Sequence, residues 1–131
     1  MMKMHLPLEI KKRLAEAFEE WIKANIDCIY VHNEKLKERW KKHVEKELRK
    51  FKEKKATVPI VAGFAMWILC TINNLGVISG IGANGYVISD ETWRRGFDKK
   101  TTEKLLFWIA EAMRLTKIPY EVAKQLGWEN A

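Results

Sequence analysis

The sequence predicts a mainly α protein: a helical bundle around a central apolar helix, with one small β-hairpin at about residues 77–89. Three observations support this fold class. Apolar residues recur at three- and four-residue steps in several long segments, which is the periodicity of an amphipathic helix. No charged residue occurs from Ala56 to Ser89, so we expect that stretch to be largely buried. Within it, Asn84–Gly85 is the strongest two-residue signal for a hairpin turn.

The first part of the chain, residues 7–55, is predicted to form two helices. The apolar face of the first helix, residues 7–31, consists of Ile10, Leu14, Ala17, Phe18, Trp21, Ile22, Ile26 and Ile29. Asn33 can cap the second helix, which extends to about Lys55. Its narrow apolar stripe consists of Leu36, Trp40, Val44, Leu48 and Phe51. The short link between the helices leaves two arrangements open, an antiparallel hairpin or one bent rod.

Residues 58–75 are predicted to form a third helix that is apolar nearly all round. Thr57 can cap it, Pro59 suits its first turn, and Gly76 can end it. Either the other helices or lipid must surround such a segment, whose length is at the lower limit for a membrane span. We favour the protein core, because the first and fourth helices have apolar faces that need a partner. Asn73–Asn74 near one end also weakens the membrane interpretation.

The rest of the chain is predicted to contain the hairpin, a helical turn at residues 90–96, a fourth helix from about Lys100 to Thr116, and a short last helix at residues 120–126. There is no repeat and no long linker. We therefore expect a single compact domain over residues 1–131. Residues 7–55 would form its basic helical hairpin, and residues 57–131 would supply the remaining elements.

The composition favours an anionic partner. Among 131 residues there are 24 Lys and Arg against 17 Asp and Glu, which gives a formal net charge of +7 at pH 7. This balance suits nucleic acid, an acidic protein surface or an anionic membrane. Cys28 and Cys70 lie in apolar contexts and form no CxxC motif, so we expect two buried free thiols. Because the N-terminal residues lack the apolar run of a signal peptide, we expect a cytoplasmic protein.

The second helix carries the most distinctive pattern in the sequence, a strip of cations about 80° wide and about 22 Å long at 100° and 1.5 Å per residue. The strip consists of Lys35, Arg39, Lys42, Lys46 and Lys50. Arg49 and Lys54 add charge near its C-terminal end. Pairs such as Lys42–Lys46 and Lys46–Lys50 repel each other by a few tenths of a kcal/mol, roughly. A phosphate backbone would relieve this repulsion. The alternative is a solvated helix whose cations favour the C-terminal dipole.

The hairpin matches the pattern GxGxxGxV from Gly80 to Val87. A dinucleotide-binding fold needs that motif between a strand and a helix, whereas Tyr86–Ser89 is predicted to be a returning strand. In protein kinases the same glycine pattern lies on a hairpin over the ATP phosphates, but the other kinase motifs are absent from this sequence. We reject both assignments. The glycines then serve a tight twisted hairpin or form a backbone-amide nest for phosphate.

Residues that could support catalysis are not arranged for it. His5, His32 and His43 show no metal-ligand spacing, and no nucleophile motif occurs. We therefore expect no enzymatic activity, no metal and no cofactor. Trp93 next to Arg94 and Arg95 is a candidate for stacking on a base beside two phosphate contacts. Alternatively, Trp93 anchors a loop.

The leading hypothesis is a non-enzymatic accessory protein that binds DNA or RNA through backbone contacts. Its predicted binding residues are Lys35, Arg39, Lys42, Lys46, Arg49, Lys50, Lys54, Trp93, Arg94 and Arg95. One alternative is a helical protein–protein interaction or assembly subunit, including a coat-type protein, because the narrow stripe of the second helix suits packing between molecules. A membrane-associated protein is the third hypothesis.

Overall fold

A computed structural model describes residues 7–29, 32–82 and 85–114. Its elements are α1 (Pro7–Ile29), α2 (Glu34–Glu53), α3 (Val58–Asn74), β1 (Ile78–Gly82), β2 (Gly85–Ile88), α4 (Asp90–Arg94) and α5 (Lys99–Arg114). The helices pack together beside one two-stranded antiparallel sheet, so the predicted mainly α bundle with a small hairpin is confirmed. The last helix predicted at residues 120–126 lies outside the described residues.

Helix α1 packs against three other helices, α2, α3 and α5. Its buried residues are Ile10, Leu14, Ala15, Ala17, Phe18, Trp21, Ile22 and Asn25. The indole nitrogen of Trp21 donates a hydrogen bond to Thr102 Oγ1 at 3.0 Å, which joins α1 to α5 inside the core. The broad apolar face predicted from the sequence therefore packs against three helices of the same chain.

Helices α1 and α2 run antiparallel, as the contacts at their two ends show. Lys11 near the start of α1 donates to the carbonyl oxygens of Lys52 and Lys54 at the end of α2, at 2.8 and 2.6 Å. Asp27 near the end of α1 pairs with Lys37 near the start of α2. Of the two arrangements left open by the sequence, the antiparallel hairpin is the one observed.

The ends of α2 and α3 follow the predicted capping rules. Asn33 Oδ1 accepts a hydrogen bond from the Leu36 amide at 3.0 Å, and Thr57 Oγ1 accepts one from the Ile60 amide at 3.4 Å. Helix α3 ends at Asn74. Two residues later, Gly76 has a φ of +77°, the left-handed conformation that glycine adopts readily after a helix. These local signals place the start of each helix and the end of α3 close to their predicted positions.

Helix α3 is buried on one face and half-exposed on the other. The buried residues are Val61, Ala62, Ala65, Ile68, Leu69 and Ile72. Phe64 and Trp67 are only partly covered, and Gly63 is exposed. Neither α3 nor any other helix in the described ranges has the length and apolar character needed to cross a bilayer.

The β-hairpin docks on the end of α3. Its strands pair Ile78 with Ile88 and Gly82 with Gly85, and a register irregularity occurs between Ile78 and Gly80. Residues 83 and 84, which include half of the predicted turn dipeptide, lie outside the described residues. The Val77 carbonyl accepts hydrogen bonds from the Ser89 amide at 2.9 Å and from Thr92 Oγ1 at 3.1 Å. These bonds tie the hairpin to α4.

Asn25 holds the start of α5 against α1. Its side chain is fully buried, and its Oδ1 accepts a hydrogen bond from the Asp98 amide at 2.7 Å. Its Nδ2 donates to the Trp21 carbonyl at 2.8 Å and to Thr101 Oγ1 at 3.3 Å. Asp98 in turn caps α5, and the hydrogen bond from the Thr101 amide lowers the pKa of its carboxyl.

Candidate nucleic-acid interface

The cationic strip of α2 lies on the side of the helix that faces solvent. We name this strip the basic ridge, and it consists of Lys35, Arg39, Lys42, Lys46 and Lys50, all exposed. The buried residues of α2 are Val44, Leu48 and Phe51. Val44 follows Lys35 by nine positions, which is about half a revolution at 100° per residue. The ridge therefore points away from the core that holds α2 in place.

The basic ridge is largely unneutralised by the described part of the chain. Lys50 pairs with Glu47 at 3.5 Å. Within the described residues, Lys35, Arg39, Lys42 and Lys46 form no ion pair. Four cations thus remain available along the exposed side of one rigid helix.

Cations on the inner side of α2 behave differently. The Lys37 side chain is only 15% exposed and pairs with Asp27 at 3.0 Å and with Glu34 at 2.9 Å. Hydrogen bonds to these two carboxylates raise the pKa of the Lys37 ammonium. Lys52 pairs with Glu19 of α1 at 3.5 Å. Acidic residues therefore neutralise Lys37 and Lys52, whereas four of the five ridge cations have no ion pair in the described part of the chain.

The two flanks of the ridge differ in charge. Glu38 and Glu45 lie on the flank that faces α1. On the flank that faces α3, Lys54 extends the positive charge and Glu47 pairs with Lys50, while the exposed Glu53 continues the line of the ridge with negative charge. Arg49 is exposed beside the ridge and forms no ion pair among the described residues.

The three candidates on and after α4 lie in three different environments. The Arg94 side chain is 71% exposed and pairs with Glu91 at 3.0 Å. The Arg95 guanidinium donates to the Leu75 carbonyl at the end of α3 and lies 4.9 Å from the centre of the Phe97 ring. Trp93 is half-buried against the core. Arg94 is accordingly the most accessible of the three, whereas Arg95 and Trp93 also contribute to packing.

A groove between α2 and α3 adjoins the ridge, and the sequence did not identify it. It has a volume of about 370 Å³ and is lined by Glu47, Lys50, Phe51, Lys54, Pro59, Ile60, Gly63, Phe64 and Trp67. Phe64 and Trp67 were interpreted from the sequence as residues of an all-round buried helix. The available signal was the narrowness of the α2 stripe, which is too thin to cover a helix as apolar as α3.

Cys28 and Cys70 are both free and partly buried. No group of three His, Cys, Asp or Glu side chains is placed to hold a metal ion within residues 7–29, 32–82 and 85–114.

Comparison with known proteins adds no relative from which a role could be carried over. The chain matches no protein-family model, no curated protein and no solved structure. The basic ridge is therefore the feature of the molecule that points to a function.

Proposed function

We propose that this chain is a non-enzymatic, cytoplasmic accessory protein that binds nucleic acid through the basic ridge. The observation that supports the proposal is the exposed and largely unpaired state of the ridge, opposite the buried stripe of α2. Neighbouring ridge cations are three or four residues apart, which is about 4.5–6 Å along the helix axis. A phosphate backbone supplies regularly spaced negative charges that can relieve their mutual repulsion.

The binding would depend mainly on the sugar–phosphate backbone. Lysine and arginine contacts to phosphates position a protein on nucleic acid and release condensed counterions, but they carry little sequence information. The proposal therefore includes weak sequence preference and strong dependence on salt. Arg49 and Lys54 would extend the ridge at one end, and Arg94 would be an additional contact from α4.

The assembly hypothesis has partial support, because Leu36 of the α2 stripe is 43% exposed and Trp40 is half-buried. It relied on the narrow stripe of α2 as a surface for packing between molecules. Val44, Leu48 and Phe51 of that stripe are instead buried within the chain, against the same core cluster as α1 and α3. The nucleic-acid proposal uses the opposite side of α2, which the fold leaves exposed.

The test compares two variants of equal charge. In the ridge variant, Lys35, Arg39, Lys42 and Lys46 are all replaced by glutamine. In the control variant, the replaced residues are Lys12, Lys23, Lys99 and Lys100, which are exposed and lie off α2. Both variants reduce the formal net charge from +7 to +3. We expect fluorescence anisotropy with a labelled oligonucleotide at low salt to show a large loss of affinity for the ridge variant alone.

Equal losses in the two variants would show that only net charge matters, and would remove the ridge from the proposal. Absence of binding by the unaltered protein at low salt would remove the proposed function itself. Circular dichroism of both variants checks that the helices are retained.

A further inference from the structure

The groove between α2 and α3 combines aromatic side chains with cations at its rim. Lys50 belongs both to the basic ridge and to the lining of the groove, so the two surfaces are continuous. Lys54 lines the same groove one turn further along the chain. The depression on the other side of α2 is lined by Glu19, Glu45, Ile22, Ile26, Leu48, Lys23 and Lys41, and none of these is aromatic. Of these two depressions, only the one on the α3 side of α2 contains half-exposed aromatic rings, and there Lys50 and Lys54 lie with Glu47, the ion-pair partner of Lys50.

The rings in the groove are fixed from behind. Phe64 stacks on the buried Phe51 with ring centroids 3.9 Å apart and on Trp67 with centroids 5.5 Å apart. The fully buried Phe18 contacts both Phe64 and Trp67 edge-on, at 6.0 and 5.9 Å. His43, beside the ridge, contacts the Trp67 ring edge-on at 6.1 Å. Rings held in this way need little further ordering when a flat ligand stacks on them.

Gly63, in the interior of α3, lies beside open space in the groove. A Cβ atom added at Gly63 would meet no described atom within 4 Å. Glycine in a helix interior destabilises the helix by roughly 0.5–1 kcal/mol relative to alanine, and a close approach of another group is a common reason for it. The described residues make no such approach at Gly63, so the open space is available to a ligand.

We propose that this groove accepts one unpaired base of a single-stranded nucleic acid. The base would stack on the Trp67 ring, which Phe64 supports by stacking, while the phosphates on either side would lie against Lys50, Lys54 and the basic ridge. Stacking on aromatic side chains next to a cationic track is how single strands are bound without sequence preference. Bases in a duplex are paired and stacked, so they cannot enter. This inference depends on the proposed function and adds that the strand is single.

The first test uses the unaltered protein and three labelled ligands of equal length: an oligothymidylate, an abasic oligonucleotide with the same number of phosphates, and a blunt duplex. We expect the oligothymidylate to bind about tenfold more tightly than the abasic strand in fluorescence anisotropy at constant salt. Equal affinities for these two strands would overturn the groove proposal and leave backbone binding by the ridge intact. Failure to bind any of the three ligands at low salt would overturn both proposals.

The second test fills the groove. Gly63→Leu places a side chain in the open space on α3, and Gly63→Ala is the matched control with one small group. We expect Gly63→Leu to weaken binding of the oligothymidylate about tenfold and to leave binding of the abasic strand unchanged. Gly63→Ala should retain most of the affinity for both strands. If Gly63→Leu folds and binds the oligothymidylate as tightly as the unaltered protein, the base does not enter this groove.

Discussion

Among single residues, Asn25 ties α1 to the start of α5. It is fully buried and bonds to the Trp21 carbonyl, the Thr101 hydroxyl and the Asp98 amide. Asn25→Ala would leave the Asp98 amide without its acceptor at the start of α5. We expect this change to lower the free energy of unfolding by about 2 kcal/mol, measured by urea denaturation. The exposed Asn74→Ala is the control and should change stability by less than about 0.5 kcal/mol.

Arg94 and Arg95 are adjacent in sequence, but the structure gives them different roles. Arg95→Ala removes the hydrogen bond to the Leu75 carbonyl and the contact with the Phe97 ring. We expect it to lower the free energy of unfolding by about 1 kcal/mol. Arg94→Ala removes only an exposed ion pair with Glu91 and should leave stability nearly unchanged. Thermal unfolding of the two variants measures this difference. Equal effects of the two changes would show that Arg95 does not support the end of α3.

Tyr86 gives the protein a specific sensitivity to alkaline pH. Burial raises the pKa of the Tyr86 phenol from its ordinary value near 10 to about 12. The unfolded chain therefore releases this proton first, and the contribution of Tyr86 to stability is present below about pH 10 and is lost as the pH rises toward 12. Tyr86→Phe should show a smaller loss of stability over that interval than the unaltered protein. Parallel losses in the two proteins would contradict the assigned burial of the phenol.

Among the elements, α2 was the most predictable from sequence. Its cap, its narrow stripe and the opposite position of its cations follow from counting residues at 100° steps, since those features are local to one helix. Helix α3 was less predictable, because an apolar surface on all sides does not indicate which face stays half-exposed. Its face toward the α2–α3 groove depends on how far α2 reaches across it, and that is a property of tertiary packing.

The exposed position of Gly63 in α3 leads to a stability prediction. Because an added Cβ would have open space, Gly63→Ala should gain helix propensity without a clash. We expect an increase of roughly 0.5–1 kcal/mol in the free energy of unfolding, measured by urea denaturation. Gly76→Ala is the contrasting change, since the φ of +77° at Gly76 strains an alanine and should make that variant less stable. Destabilisation by Gly63→Ala would contradict the open geometry described for α3.

For the whole molecule, the fold class could be predicted and the arrangement around the ridge could not. The predicted helices pack together as expected, with α1 in contact with α2, α3 and α5. The acids that neutralise Lys37 and Lys52 include Asp27 and Glu19, which lie on α1 and meet α2 only because the two helices are antiparallel. No count along the sequence assigns such pairs, so the contrast between neutralised and free cations emerges only in three dimensions.

The most direct test of the central claim, that an unneutralised ridge binds phosphates, is the salt dependence of nucleic-acid affinity. The logarithm of the binding constant for a single strand should fall linearly with the logarithm of salt concentration, by roughly 0.7 per phosphate contact. Replacing Lys35, Arg39, Lys42 and Lys46 by glutamine should then reduce the slope by roughly 3, since up to four such contacts are lost. Identical slopes for the unaltered protein and this ridge variant would contradict the account.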